Sequence, residues 1–313
     1  MSTAFLFPGQ GAQVVGMGAD LAATYAAAAQ VFEQANALVG FDLRQVCFEG
    51  PAETLNTTTM SQPAIFTASA ALLEVMRTES ATADIKADIA AGLSLGEYTA
   101  LYAAGAVSFE DGLRLVKKRG EAMQAAADAT EGAMVSVIGL DEDKVRQLCE
   151  KAAEGQLLEP VNFNCPGQIV VSGTIPACDR AVELAPEFGA VKAIRLEVAG
   201  AFHTEMMAGA AEALRQALGE CEITAPASTR VLANISVEYY PDGQAIVDGL
   251  AQQLTSPILW QKCMERLLSE GVEQFYEIGP GRVLTGLMRR INRKTRVINV
   301  SSAEAVAALL KKA

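Results

Sequence analysis

The stretch Ile89-Ala-Ala-Gly-Leu-Ser-Leu-Gly-Glu-Tyr98 limits what this chain can fold into more than any other. Ile89 to Ala91 reads as a short buried strand, and Leu95 to Ala104 as a helix stopped by Gly105. Between them lies Gly92-x-Ser94-x-Gly96. A strand, then G-x-S-x-G, then a helix is the context of a nucleophile elbow. The glycines allow a turn too tight for side chains, which lifts Ser94 clear of the strand end. The N–H of Leu95, at the helix start, can then face a developing oxyanion. An ordinary strand-to-helix turn could carry the same five residues without any chemistry, so the catalytic reading requires a base elsewhere.

The chain offers one imidazole. His203 lies in Gly200-Ala-Phe-His-Thr-Glu-Met-Met207, just before a helix that the pattern carries to about Leu218. A lone histidine is ordinarily structural, but no other is available to activate Ser94. Its place near a helix N-terminus favours the neutral form, which accepts a proton. One histidine and six scattered cysteines (47, 149, 165, 178, 221, 263) with no C-x-x-C pair leave no zinc site, and we expect neither metal nor cofactor. The same cysteine usage points to a reducing, cytoplasmic setting.

At 313 residues, half of them hydrophobic, the chain has room for a large core and about two domains. A net charge of −12 argues against nucleic acid or an anionic membrane as partner. The apolar run Ala4 to Phe7 is too short for a signal peptide, and the sequence has no uninterrupted apolar run of ~18 residues that could span a membrane. Nothing in the sequence calls for more than a monomer.

Thr3 to Phe7 reads as the first strand, broken by Pro8-Gly9-Gln10-Gly11. Gly9 to Gly16 fails as a dinucleotide fingerprint because Val14 stands where glycine is needed. It fails as a P-loop because Met17 stands in the place of lysine. It reads either as a loop bringing backbone N–H groups to a site or as a simple tight turn. Helices are expected over Asp20 to Leu38 and over Gln62 to Met76, the second entered through Pro63. Ser108-Phe-Glu-Asp111 resembles a capping box opening a helix to about Ala127. On that helix Arg119 shares its face with Gly112, Leu115, Val116, Met123 and Ala126. A charge in an apolar stripe requires an acceptor, which could be a structural ion pair, the solvent reached by snorkelling, or a ligand.

From Gly132 the expected order is strand (Met134 to Leu140), helix (Asp141 to Ala153), two strands (Pro160 to Asn164, Gln168 to Ser172), helix (Pro176 to Phe188) and strand (Val191 to Val198). That is the β-α-β-β-α-β, ferredoxin-like pattern. We assign residues 129–198 to an inserted ferredoxin-like subdomain, and 1–128 with 199–313 to one larger α/β domain. There the remaining elements are a strand (Val231 to Ile235), a helix (Gly243 to Leu254), a helix from Pro257 to Glu270 capped by Ser256-Pro257, a last core strand (Gln274 to Ile278) and a helix to Ile291. Between Gly279 and Ser302 there are six basic residues, Arg289 and Arg290 among them, and no acid. That excess is either a solvated helix end or a dock for an acidic partner.

Six motifs occur in order along essentially the whole chain: Phe7-Pro-Gly-Gln-Gly11, Gly92-x-Ser-Leu-Gly-Glu97, Lys118-Arg-Gly-x-x-Met123, Phe202-His203, Gln253-Leu-x-x-Pro257 and Glu277-x-Gly-Pro-Gly281. The series resembles the signature of malonyl-CoA:acyl carrier protein transacylases. The resemblance implies a hydrolase-like parallel-sheet domain carrying a ferredoxin-like insertion. It implies that Ser94 attacks malonyl-CoA with His203 as base, that the Gln10 and Leu95 N–H groups form the oxyanion hole, and that Arg119 pairs with the malonyl carboxylate. The main-chain carbonyl of Gln253 would orient His203, with Met123 and Phe202 lining the pocket. The malonyl group would pass to the phosphopantetheine thiol of acyl carrier protein, whose acidity suits a landing site at Arg289 and Arg290. One departure is Leu93, where the family commonly has histidine; the change bears on pocket polarity. A serine esterase or thioesterase shares the elbow, with acids such as Asp179 between Ser94 and His203, but gains nothing from Arg119. A non-catalytic carrier-binding protein would not need Ser94, His203 and Arg119 intact.

Overall fold

Among the described residues nine strands form: β1 (Thr3–Phe7), β2 (Ile89–Gly92), β3 (Gly132–Ile138), β4 (Leu158–Cys165), β5 (Gln168–Thr174), β6 (Lys192–Arg195), β7 (Arg230–Leu232), β8 (Gln274–Ile278) and β9 (Val297–Val300). The computed structural model describes residues 2–311. The strands make two sheets, one five-stranded and parallel in the order β7-β2-β1-β8-β9, the other four-stranded and antiparallel in the order β4-β5-β3-β6. Every residue of β1 and β2 is buried, as strands covered on both faces require. Alternate residues serve opposite faces. Phe5 and Phe7 join a core built with the helices Ala26–Val39, Thr58–Thr78 and Phe109–Asp128. Ala4 and Leu6 join a second core with Trp260–Ser269 and Val283–Ile291.

The antiparallel sheet and the helices Glu142–Ala153 and Ile175–Leu184 have the ferredoxin-like order read from the sequence. Val135, Val137, Ile169 and Val171 face those helices, while Met134 and Val170 face the large core. A main-chain clasp ties β4 to the segment leading into the helix Trp260–Ser269: Phe163 N–H donates to the Ile258 carbonyl (2.9 Å) and Ile258 N–H to that of Val161 (2.7 Å).

Several element boundaries differ from expectation, each for a physical reason. The clasp holds Ile258 extended, so the helix expected from Pro257 begins at Trp260. The segment expected as one helix from Asp20 is two, Ala19–Thr24 and Ala26–Val39, because Tyr25 is extended (φ −122°, ψ 121°) and packs on the core. The helix expected to enter through Pro63 starts at Thr58 and runs through that proline, since burial along almost its whole length outweighs one missing backbone bond. The edge strand β6 is only four residues, and Leu196 to Val198 leave the sheet to line a cleft. Nor is β8 the last strand. β9 pairs with it in parallel, its apolar run interrupted by Asn299, which donates to Glu277 (3.2 Å) and to the Gly281 carbonyl (2.9 Å).

Candidate active site

Parallel sheets place their functional groups just beyond the carboxyl ends of the strands. Here the loop after β1 supplies Gly9 and Gln10, the turn after β2 supplies Ser94, and the segment after β7 supplies Asn234. Ser94 has φ 50°, the left-handed conformation that an elbow imposes on its nucleophile. The turn survives through close backbone approach. A Cβ on Gly96 would strike the Phe7 carbonyl, and one on Gly9 would strike that of Leu93, so both glycines let the β1 loop press against the elbow. Asn234 fastens it: its Oδ1 accepts from Ser94 N–H (2.7 Å), and its Nδ2 donates to the Gly92 carbonyl (2.7 Å).

His203 also sits in the left-handed region (φ 63°) and is 4% exposed. Its Nε2 lies 3.0 Å from Ser94 Oγ, and its Nδ1 lies 2.8 Å from the main-chain carbonyl of Gln253. A carbonyl only accepts, so Nδ1 carries the proton and Nε2 is the bare acceptor facing the serine. Among the described residues no acid completes a triad. Asp179 lies on the subdomain surface, 2.5 Å from Arg195. Burial and the nearby Arg119 cation push the His203 imidazolium down to about 4, against a smaller opposing effect of the Gln253 carbonyl. His203 is therefore neutral at physiological pH. The helix expected after it is present as Ala208–Gly219, entered through the 3₁₀ turn Glu205–Met207, but burial and the Arg119 cation are what lower the imidazolium.

Arg119 is 1% exposed. Its Nη1 donates to Gln62 Oε1 (2.9 Å), and its Nη2 to Ser94 Oγ (2.9 Å) and Gln253 Oε1 (3.0 Å). All three acceptors are uncharged, and Nε has no partner among the described residues. Neither the ion pair nor the snorkelling arrangement considered from sequence is present. The guanidinium instead stacks over the Tyr98 ring, 5.6 Å from its centroid.

A cleft of about 360 Å³ opens above these groups, lined by Gln10, Leu93, Met123, Met134, Leu196 and Phe202 among others. Met123 and Phe202 are buried in its wall, and Leu93 gives it an apolar edge where an imidazole would have been polar. The N–H groups of Gln10 and Leu95 bond to no other group among the described residues, which leaves both free for a ligand. Arg289 and Arg290 are exposed on a separate groove with Pro166 and Arg293, and Arg290 Nη1 donates to Gln168 Oε1 (3.0 Å).

The acyl transferase domain model matches residues 4–312. The malonyl CoA-acyl carrier protein transacylase of Bacillus subtilis is 44% identical over 304 residues, covering 97% of this chain and 94% of that protein. Its Escherichia coli counterpart is 43% identical over 308 residues, 98% of each chain. The chain belongs to this family. An acyl-carrier-protein S-malonyltransferase structure from Bartonella henselae superposes with a TM-score of 0.95 at 43% identity, covering 100% of this chain and 99% of that one. A malonyl-transacylase solved in complex with its type II polyketide acyl-carrier protein also gives 0.95, at 38% identity over 100% of both chains.

Sequence reasoning missed Gln62, Asn234 and Tyr240, and left Glu97 as a motif letter without a role. Glu97 is 1% exposed. Its Oε1 accepts from the Tyr240 hydroxyl (2.5 Å), and its Oε2 from Gln253 Nε2 (2.8 Å) and Asn234 N–H (3.2 Å). Position could have found Asn234, the second residue past a parallel strand, had the strand not been read through to Ile235.

Proposed function

We infer that this acyltransferase moves a malonyl group from malonyl-CoA to the phosphopantetheine thiol of acyl carrier protein through a malonyl-Ser94 ester. The observation that carries the reading is Arg119, a buried cation whose only contacts are neutral and which touches the nucleophile itself. A neutral acyl chain would leave that guanidinium with no carboxylate in contact, whereas a terminal carboxylate fits its fork.

The steps follow from the geometry. Ser94 gives its proton to His203 Nε2 as Oγ attacks the thioester carbonyl. The tetrahedral oxyanion is received by the N–H groups of Gln10 and Leu95. Collapse expels the CoA thiolate, which takes the proton back from the imidazolium. The carrier thiol then loses a proton to the same nitrogen and attacks the ester, returning Ser94. The Gln253 carbonyl holds Nδ1–H throughout, where a hydrolase triad would use an acid. Side chains and main chain supply all the chemistry in this scheme, with malonyl-CoA and the holo-carrier as substrates. Every group it uses comes from one chain, which supports a working monomer. Six free thiols fit a reducing compartment such as the cytoplasm. No helix among the described residues is long and apolar enough to cross a membrane.

Intact-protein mass spectrometry after brief exposure to malonyl-CoA, with acetyl-CoA alongside, tests the reading. The wild type should gain one malonyl group. Arg119→Ala should lose about 3 kcal/mol of malonyl-specific stabilisation, roughly 100-fold in kcat/KM, while acetylation changes little. Accumulation of free malonate and CoA without an adduct would instead establish a hydrolase.

Arg289 and Arg290 remain our choice for the acidic carrier's landing site, supported by their exposure beside Arg293. The double reversal Arg289→Glu, Arg290→Glu should raise the KM for carrier by roughly tenfold, most at low salt, and leave the malonyl-CoA half-reaction untouched. An unchanged carrier KM would move the dock elsewhere.

A further inference from the structure

One side chain, Gln253, connects the two halves of the site. Its main-chain carbonyl holds His203, its Oε1 holds Arg119, and its Nε2 is directed to Glu97 (2.8 Å) and to the Ser94 carbonyl (3.2 Å). An amide can point either way, and Arg119 is satisfied only if the oxygen faces it. What fixes the orientation is an acceptor on the other side. Glu97 has every property of that acceptor: three donors converge on its two oxygens, none of them an arginine or lysine. A carboxylate sealed from water without a cation in contact is costly. Nothing in the chemical scheme uses it directly.

We propose that Glu97 is a positioning residue: through the Gln253 amide it fixes where Arg119 points, and it supplies the buried negative charge that Arg119 shares until a substrate carboxylate arrives. The proposal rests on the malonyl-transfer reading above. It makes Glu97 matter twice, once by shape and once by charge, and the two can be separated. In Glu97→Gln the amide oxygen can occupy the place of Oε2 and accept from Gln253 and Asn234, while the new NH₂ donates to the Tyr240 oxygen. Orientation is kept and charge is lost. In Glu97→Ala both go.

Charge also gives a pH signature. Burial pushes the Glu97 carboxyl up to about 7, against smaller opposing effects of Tyr240, Gln253, the Asn234 N–H and Arg119. The titratable groups facing it are Tyr98 beside it on its own helix, Tyr240 on the segment after β7, Cys263 on the helix Trp260–Ser269 and Arg119. Burial pushes both phenols and the thiol up, so these stay neutral. Burial lowers Arg119, against opposing effects of Tyr98 and Glu97, but a guanidinium keeps its proton in proteins. At pH 8 the Glu97 carboxylate competes with substrate for Arg119; at pH 6 it is protonated and does not.

The experiment measures the malonylation rate per acylatable serine, counted by mass spectrometry, for wild type, Glu97→Ala and Glu97→Gln, with acetyl-CoA as control. Glu97→Ala should fall roughly 10- to 100-fold, as loss of an orienting partner does, and should discriminate malonyl from acetyl less well. Glu97→Gln should restore most of that rate. It should also lower the KM for malonyl-CoA about three- to tenfold at pH 8, but not at pH 6 and not for acetyl-CoA. A purely structural role would change the fraction of competent protein and nothing per competent serine. Glu97→Ala acylating like wild type with unchanged discrimination, or a Glu97→Gln KM equal to wild type at both pH values, would overturn the proposal. If Glu97→Ala does not fold, the KM comparison decides alone. A wild type that forms no malonyl adduct would sink the proposed function and this inference with it, whereas an active wild type matched by both variants would sink this inference only.

Discussion

Ser94→Ala should abolish the acyl-enzyme outright and lower transfer by roughly 10⁴- to 10⁶-fold, the scale on which loss of a nucleophilic serine is felt elsewhere. The size follows from how many groups converge on that one oxygen. His203 Nε2 stands 3.0 Å away to take its proton and Arg119 Nη2 2.9 Å away as a donor. The elbow turn and Asn234 hold it at the strand end. Without Oγ the base has nothing to deprotonate, and a carrier thiol would have to attack malonyl-CoA directly. The oxyanion donors would be the remaining help. Gln10 and Leu95 belong to the backbone, so the variant should still bind malonyl-CoA. Arg119, losing one neutral acceptor, should bind it no worse. Equilibrium binding beside single-turnover transfer checks both halves. Residual malonylation of another residue at wild-type rate would remove Ser94 from the mechanism.

The three residues to which we assign this chemistry stood out in the sequence because each breaks a local pattern. Ser94 is framed by glycines between a strand and a helix, His203 is unique, and Arg119 interrupts an apolar stripe at helical spacing. The α/β class and the ferredoxin-like unit were legible for a similar reason, since short apolar runs and alternating elements are properties of neighbouring residues; the parallel sheet was implied by the family resemblance. The scaffold behind the site is different in kind. Glu97 meets Asn234 across 137 positions and Tyr240 across 143. Nothing in the period of a helix or strand reports such a pairing, and a glutamate in the first turn of a helix looks like ordinary dipole compensation. The helix boundary at Trp260 was hidden in the same way, because a main-chain clasp to β4 overrode the Ser-Pro signal. Local rules therefore singled out three residues that the fold brings together, and tertiary pairing determines how they are held.

His203→Ala should cost roughly 10²- to 10⁴-fold in acylation, the usual worth of a general base, and no second imidazole exists to share its work. The more discriminating prediction is the pH at which the wild type fails. An ordinary imidazole protonates near ~6.5. Burial first, and the Arg119 cation second, push His203 down to about 4. A base is competent only when neutral, so a lowered value keeps it competent to lower pH. Reactivity of Ser94 should persist through pH 6 and 5 and disappear as pH falls through about 4. A substrate carboxyl titrates in the same range as an ordinary side-chain carboxyl, near ~4, so the clean probe is an uncharged sulfonyl fluoride, whose rate of serine modification reports the free enzyme alone. Arg119→Ala removes the repelling cation and should move that acid limb upward. A wild-type limb near 6.5, unmoved by Arg119→Ala, would mean that the imidazole is hydrated and that the cation does not act on it. The lowered basicity also explains why a carbonyl suffices on Nδ1. A base that is never protonated at rest needs no buried acid to hold its charge, only an acceptor to hold its tautomer. When a malonyl carboxylate pairs with Arg119, the repulsion on the imidazolium eases at the step that forms it. Selection of the carboxylate and activation of the base are then one electrostatic event.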